Sequence, residues 1–262
     1  MKRASIILVV VAAFSTVGLA QSISNQGYNT ADAQTIKRMK DVNPHLVKAR
    51  DQVAKHDFAG ARKTLEDILE KVPELSEAHF LMAKVLYAEK NWTESLASME
   101  RAEQTLGSLA TMMMKMNEDR RKALIERRRA QEAVIADLKG RPQPLPLAQQ
   151  SQLDRAEQLR GEIDRSLNEL NEPQKSTVPA EYPFFHGNIL LRMQKFPEAV
   201  AKYDEALRIN PGYADAANNL ASLYYSAKQY QKALDVLTRV EAKGATVNPE
   251  LKKAISDALP KS

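Results

Sequence analysis

Residues 112–131 read MMMKMNEDRRKALIERRRAQ. Met112, Met113, Met114 and Met116 put four thioethers within five positions. Thioethers are soft ligands, and such a cluster could hold Cu(I) in an oxidising compartment. Six basic residues and one acidic residue, Glu126, follow between Arg120 and Arg129. That density could grip nucleic acid or an anionic lipid surface. The remaining candidates for metal or acid–base chemistry are His45, His56, His79 and His186.

None of these assembles into a centre. No histidine lies near the methionines in sequence, and no two histidines form an HExxH pair. There is no GxSxG turn, no glycine-rich phosphate loop and no pair of carboxylates that stands out. Tyr224 and Lys228 share a Y-x-x-x-K spacing, but Tyr224 falls on the apolar face of a helix. Asn91, in NWT, is a glycosylation acceptor only in a eukaryotic secretory pathway. The expectation is a chain that is not an enzyme and takes no cofactor and no metal.

The termini and composition narrow the setting. Lys2 and Arg3 precede an unbroken apolar run from Ile6 to Phe14, and Gly18 and Ala20 stand at −3 and −1 of a cut before Gln21. Residues 1–20 read as an export signal. The alternative, an uncleaved anchor, is short of the ~20 residues a membrane span needs. The brief basic start points to bacteria, hence to a periplasmic or secreted protein. The net charge is +5, or +3 once Lys2 and Arg3 are removed, too mild for a nucleic-acid binder. The sequence has no cysteine, so disulfides and thiolate metal sites are excluded. No second long apolar stretch follows, so no transmembrane span is expected after the signal is removed. Residues 21–41 are polar and read as a mostly disordered leader, helical at most from Ala31 onward.

The rest of the chain repeats itself. Small residues Gly187 and Ala221 lie 34 apart; twelve residues after each come Ala199 and Ala233, sixteen after Tyr203 and Leu237, nineteen after Ala206 and Val240. Pro211 closes the first of these units, and Ala245 takes its place in the second. The N-terminal half carries Ala49, Ala61, Leu65, Ile68 and Pro73, then Ala83, Ser95, Met99, Ala102 and Gly107, again 34 apart. Each unit reads as two antiparallel helices joined by a tight turn near HD, KN, QK or KQ. Small residues let the helices approach, the large residue fills the gap to the next hairpin, and proline stops the second helix. Phe58, Trp92, Phe196 and Tyr230 follow the four turns, where an aromatic can wedge each hairpin. One hairpin cannot bury its own apolar face, so hairpins stack.

This pattern resembles the tetratricopeptide repeat family over residues 42–107 and 180–247. Lys48, where a leucine is usual, and Gly107, where a proline is usual, depart from it. The resemblance implies an all-α helical-hairpin solenoid whose concave groove binds peptides or proteins. It also implies that the first helix of each unit lines that groove. Residues 248–262 read as a capping helix and tail, with Leu251, Ile255 and Leu259 turned inward.

Residues 108–178 break the repeat. From Ser108 to Lys139 there is neither glycine nor proline, GRPQPLP forces a turn, and Leu147–Leu170 reads as a second helix. At ~1.5 Å per residue the first helix could reach about 45 Å. The preferred reading is a long antiparallel coiled-coil hairpin protruding from the array. Its seam takes Leu109, Met112, Met116, Ala123, Ala130, Val134 and Leu138 against Leu153, Ala156, Leu159, Ile163, Leu167 and Leu170. Leu138 is placed near Leu147, Val134 near Leu153, Arg120 near Asp164, Glu126 near Arg160 and Arg127 near Glu157. The rival reading is two degenerate repeats with a turn at Asn117–Asp119.

The domain plan is therefore 1–20 signal, 21–41 leader, 42–107 first repeat pair, 108–178 insert, 179–247 second pair, and 248–262 cap. Packing explains Met112 and Met116, and a salt-bridged face explains the basic run. Met113, Met114 and an unpaired Arg128 remain as contacts on the hairpin. In the groove the candidates are Asn188, Arg192, Asn219, Ser222 and Lys253. Some family members hold a peptide carboxylate with asparagines and lysines there. Asn188, Asn219 and Lys253 match three of those five positions, while Phe184 and Pro249 replace basic residues.

The functional expectation is an exported scaffold that contacts protein or peptide partners in the cell envelope, and not nucleic acid. Alternatives are a periplasmic holdase for client segments and a subunit that self-associates through the hairpin. The export reading sets the mature N-terminus at Gln21. Mass analysis of the envelope protein should find it there, and a chain that begins at Met1 in the cytoplasm would overturn it.

Overall fold

The computed structural model describes residues 30–171 and 178–259, less the side chains of a few helical residues. The expected signal, residues 1–20, lies outside them. So do residues 21–29 of the expected leader. Among the described residues every regular element is an α-helix. In chain order these are α1 (Thr30–Ala54), α2 (Phe58–Lys71), α3 (Ser76–Ala88), α4 (Trp92–Lys139), α5 (Leu147–Asn171), α6 (Glu181–Arg192), α7 (Phe196–Ile209), α8 (Ala214–Ser226), α9 (Tyr230–Glu241) and α10 (Pro249–Ala258). No helix among the described residues is long and apolar enough to cross a membrane. Two compact units form, one of residues up to Gly107 and from Thr177 onward, the other of Ser108–Ser176.

Residues 30–41 belong to α1, which begins at Thr30, one residue before Ala31, the earliest start expected for a helix there. From this extension Met39 packs on the cluster that contains the buried Val42 and Leu46. The helix also continues through Pro44.

In the first unit α1 pairs with α2, the start of α4 returns along α3, α6 pairs with α7, and α8 with α9; α10 covers α8 and α9. The spaced positions of the repeats form its core. Ala49, Ala83 and Ala221 are fully buried and Gly187 is buried, as are Ala61, Ser95, Ala199 and Ala233 on the facing helices. Leu65, Met99, Tyr203 and Leu237 fill the gaps behind them. The second helices show why they form: in α9, Ala233, Val236, Leu237 and Val240 bury one stripe at three- and four-residue spacing. Ser95 satisfies its buried hydroxyl by donating to Ala83 O at 2.8 Å, across its own hairpin.

The four turns share one geometry. His56, Lys90, Gln194 and Lys228 sit in the left-handed region with φ of 60°, 62°, 60° and 59°. The next residue donates back five positions, Asn91 N to Leu86 O, Lys195 N to Leu190 O and Gln229 N to Tyr224 O, at 2.8–2.9 Å. This closes each first helix. Trp92 then meets Tyr87 edge-on at 4.9 Å, Tyr230 lies tilted against Tyr225 at 5.5 Å, and Phe58 packs on the core. Phe196 does not act as a wedge; it is 48% exposed.

Helix α4 passes straight through Gly107, where the first repeat pair was expected to end. Glycine weakens a helix by about 1 kcal/mol but, unlike proline, keeps its donor and does not stop it. It also passes through Asn117–Asp119, so the turn required by the degenerate-repeat reading is not there.

In the second unit the later part of α4 and α5 run antiparallel, with Arg128 bonded to Asp164 at 2.8 Å and Lys139 to Glu157 at 2.6 Å. These pairs correct the expected register, which had Arg120 at Asp164 and Arg127 at Glu157. The connection explains the slip. Pro142, Pro144 and Pro146 keep residues 140–146 out of either helix, and Lys139 at the end of α4 meets Glu157 well inside α5 rather than the start of α5. Leu145, not Leu147, packs on the Ile135, Leu138, Leu153 and Ala156 cluster, and Leu147 is 84% exposed. Ile135 replaces Val134 as the buried member of the seam, and Ala130, expected on it, is exposed.

Two substitutions probe the repeats. A Cβ on Gly187 would lie 2.7 Å from Cε1 of Tyr203, so Gly187→Leu overpacks the α6–α7 crossing and should cost roughly 1–3 kcal/mol or more in thermal or urea melts. At the left-handed Gln194, Gln194→Gly should raise stability by about 0.5 kcal/mol and Gln194→Val should lower it by about 1–2 kcal/mol.

Candidate functional site

The glycine that admits the Tyr203 ring also shapes the candidate groove. With no side chain on Gly187, the ring lies against α6, and its hydroxyl emerges beside the next residue, Asn188. Tyr203 Oη donates to Asn188 Oδ1 at 2.8 Å. Asn219 Nδ2, from α8, donates to the same oxygen at 2.9 Å and reaches Tyr203 Oη at 3.4 Å. Burial pushes the phenol up to about 12, and the Asn219 bond opposes that only in part. The two asparagines singled out from sequence are therefore joined, with the Asn188 acceptor saturated and its Nδ2 donor without a protein partner among the described residues.

Arg192 closes α6. Its Nε donates to Tyr87 Oη at 3.0 Å, which leaves the far end of the guanidinium exposed. Ser222 is exposed on α8, but its hydroxyl donates to Asn218 O at 2.8 Å, so its hydrogen is committed to its own helix. Lys253 is exposed on α10, and among the described residues no bond joins it to either asparagine.

A second set of residues on this face was not singled out from sequence. Phe80 of α3 stacks on Tyr182 at 4.4 Å and meets Phe185 of α6 edge-on at 5.8 Å. Tyr87 lies 5.2 Å from Phe185. Lys84 Nζ sits 5.3 Å above the Phe80 ring and 6.0 Å from that of Phe185. The signal for Lys84 was present: it follows the small residue Ala83 as Asn188 follows Gly187.

Behind the face a charged cluster ties α4 to α6 and α7. Glu103 takes His186 Nδ1 at 3.1 Å and Lys202 Nζ at 2.9 and 3.0 Å. Burial alone would raise the Glu103 carboxyl, but these two partners hold it below the usual carboxylate range. A shallow cleft of about 370 Å³ opens beside His186 and Lys202.

In the second unit Met114 is 64% exposed, and the Met113 side chain lies outside the described residues. Arg128, expected to be unpaired, is bonded to Asp164 at 2.8 Å and approaches Glu132 at 3.4 Å. The register slip brings it opposite a carboxylate.

Comparison with known proteins adds the family. Two tetratricopeptide repeat models match residues 46–108 and 190–257, together half of the chain. No curated protein matches. Among solved structures, the chain is similar to TTC0263, a thermophilic TPR protein of Thermus thermophilus. They are 16% identical, with 82% of this chain and 97% of that one covered and a TM-score of 0.34. It is also similar to pilF of Pseudomonas aeruginosa, at 18% identity, 84% and 87% coverage and a TM-score of 0.34. With two pairs of hairpins on a 34-residue period and half of its length matched, the chain belongs to the tetratricopeptide repeat family of protein-interaction scaffolds.

Proposed function

We propose that this chain is an exported scaffold that holds protein partners together in the cell envelope, with a binding role rather than a catalytic one. The observation that carries the reading is the row of side-chain donors on the first-helix face. Asn188 Nδ2 and the outer nitrogens of Arg192 have no acceptor among the described residues, although the groups around them are tightly bonded. An extended peptide offers carbonyl oxygens at the right density for such a row. Export is supported by the basic start and the Ile6–Phe14 run.

The second unit serves as a separate contact surface through Met114 and its neighbours, since exposed methionine adapts to varied partners. The exposed Leu147 favours self-association as a second reading for that unit. The donors of Asn188 and Arg192 beside the Phe80 and Phe185 rings make a mixed lining, which suits a peptide with polar and apolar positions better than the apolar client segments of a holdase.

Two variants separate the surfaces. Asn188→Ala with Asn219→Ala should weaken peptide-type partners, with Tyr203→Phe included so that no hydroxyl is left unbonded. Replacing residues 108–178 by a Gly/Ser linker should spare those partners and lose another class in a pull-down from the envelope. Thermal melts should show both variants folded. If the linker variant keeps every partner, the insert is a spacer; if it unfolds, the insert belongs to the repeat core. Light scattering of the intact chain and the linker variant tests self-association.

A further inference from the structure

We infer that the α3–α6 part of the groove recognises an acidic segment of a partner, through Lys84 and Arg192 set on a floor of aromatic rings; the inference rests on the groove being a peptide site. Burial and pairing single out Lys84. Among the described residues of the repeat unit, five Lys or Arg side chains are partly buried: Arg50, Arg62, Lys84, Lys202 and Lys252. Four of them have a carboxylate. Arg50 pairs with Glu77, Arg62 with Glu89, Lys202 with Glu103 and Glu205, and Lys252 with Glu241. Lys84 forms no ion pair or hydrogen bond among the described residues and rests only against Phe80 and Phe185.

A half-desolvated ammonium with no carboxylate bonded to it is unfavourable, and an incoming carboxylate relieves it. Burial already pushes the Lys84 ammonium below its usual pKa, against the pull of Glu181. Arg192 supplies the second cation. Its Nε is fixed on Tyr87, Tyr87 packs on Phe185, and Phe185 lies against Lys84, so one run of contacts holds both charges on one face. Among the described residues Arg192 has no carboxylate partner either. The anchored Nε leaves the outer nitrogens to take an acidic side chain. Asn188 Nδ2, on the same helix as Arg192, provides a neutral donor for the peptide backbone between them. The rings beneath suit an apolar residue beside the acidic ones.

The test is selection of a random dodecapeptide library on the intact chain, with each peptide joined to its carrier through its C-terminus so that no free terminal carboxylate is present. Asp and Glu should be enriched in the selected peptides. A selected peptide, made with an amidated end and followed by fluorescence anisotropy, should lose about tenfold in affinity for Lys84→Met and again for Arg192→Gln, the effect of one charge-assisted bond each. Lys84→Met keeps the stem over the rings, and Lys228→Gln, away from this face, should change nothing. Replacing the peptide's Asp and Glu by Asn and Gln should reproduce the loss. Peptides selected without acidic residues, or binding unchanged in Lys84→Met and Arg192→Gln, would overturn the acidic specificity and leave the groove reading standing. Selection of no peptide would overturn both.

Discussion

The contact of the Tyr203 ring with Gly187 organises much of the repeat unit. The ring is fully buried, and it occupies the space that any side chain at 187 would need. A buried phenol also needs a partner for its hydroxyl, since an unbonded one costs about 1–3 kcal/mol. Asn188 supplies the acceptor and Asn219 joins it from the next hairpin. One packing contact thus sets the α6–α7 crossing, the tie from α6 to α8 and the orientation of both asparagine amides. Because the Asn188 oxygen is used twice inside the protein, what remains outward is its donor. The face therefore presents N–H groups from Asn188, Arg192 and Lys84.

Charge is handled differently elsewhere in the unit. Glu77 and Glu103 are both carboxylates largely removed from water, with opposite results. At Glu77 burial prevails over the bidentate Arg50, and the carboxyl is raised. At Glu103 two partners, His186 and Lys202, outweigh burial, and the carboxyl is lowered. In the second unit, pairs such as Arg129–Glu126, with both side chains about 70% exposed, contribute little by comparison. Against this balanced interior, an unpaired and partly buried Lys84 is the exception.

The repeats were legible because their constraint is steric and recurs. A helix crossing admits only a small residue, so Ala49, Ala83, Gly187 and Ala221 mark it whatever surrounds them. The insert was less legible. Its helices and their antiparallel sense follow from composition and from the prolines, but a seam of Leu, Ala and Met does not fix the register, which slips by about two to three turns. The pattern could not distinguish Leu145 from Leu147 as the residue that ends it. The groove was legible in part. Asn188 and Asn219 stand at recurring positions, whereas whether Ser222 spends its hydroxyl on its own helix depends on a rotamer. Lys84 is equally placed in sequence, and what sets it apart is the missing carboxylate, which only the fold reveals.

The constancy of the spacing has its cause in the turns. In every hairpin the left-handed residue stands seven positions after the small residue of the first helix, at His56, Lys90, Gln194 and Lys228. The second helix starts two residues later. With both ends of the turn fixed, the small residue of the second helix falls twelve after the first in all four units. A left-handed conformation costs a non-glycine residue roughly 1–2 kcal/mol, yet all four units retain it without glycine. The backbone bonds across each turn offset that cost locally, and the buried crossing does the rest. One added residue in such a turn would rotate the second helix by about 100°. Tyr203 would then face away from Gly187, and the asparagine pair, the α6–α8 tie and the groove would lose their common support.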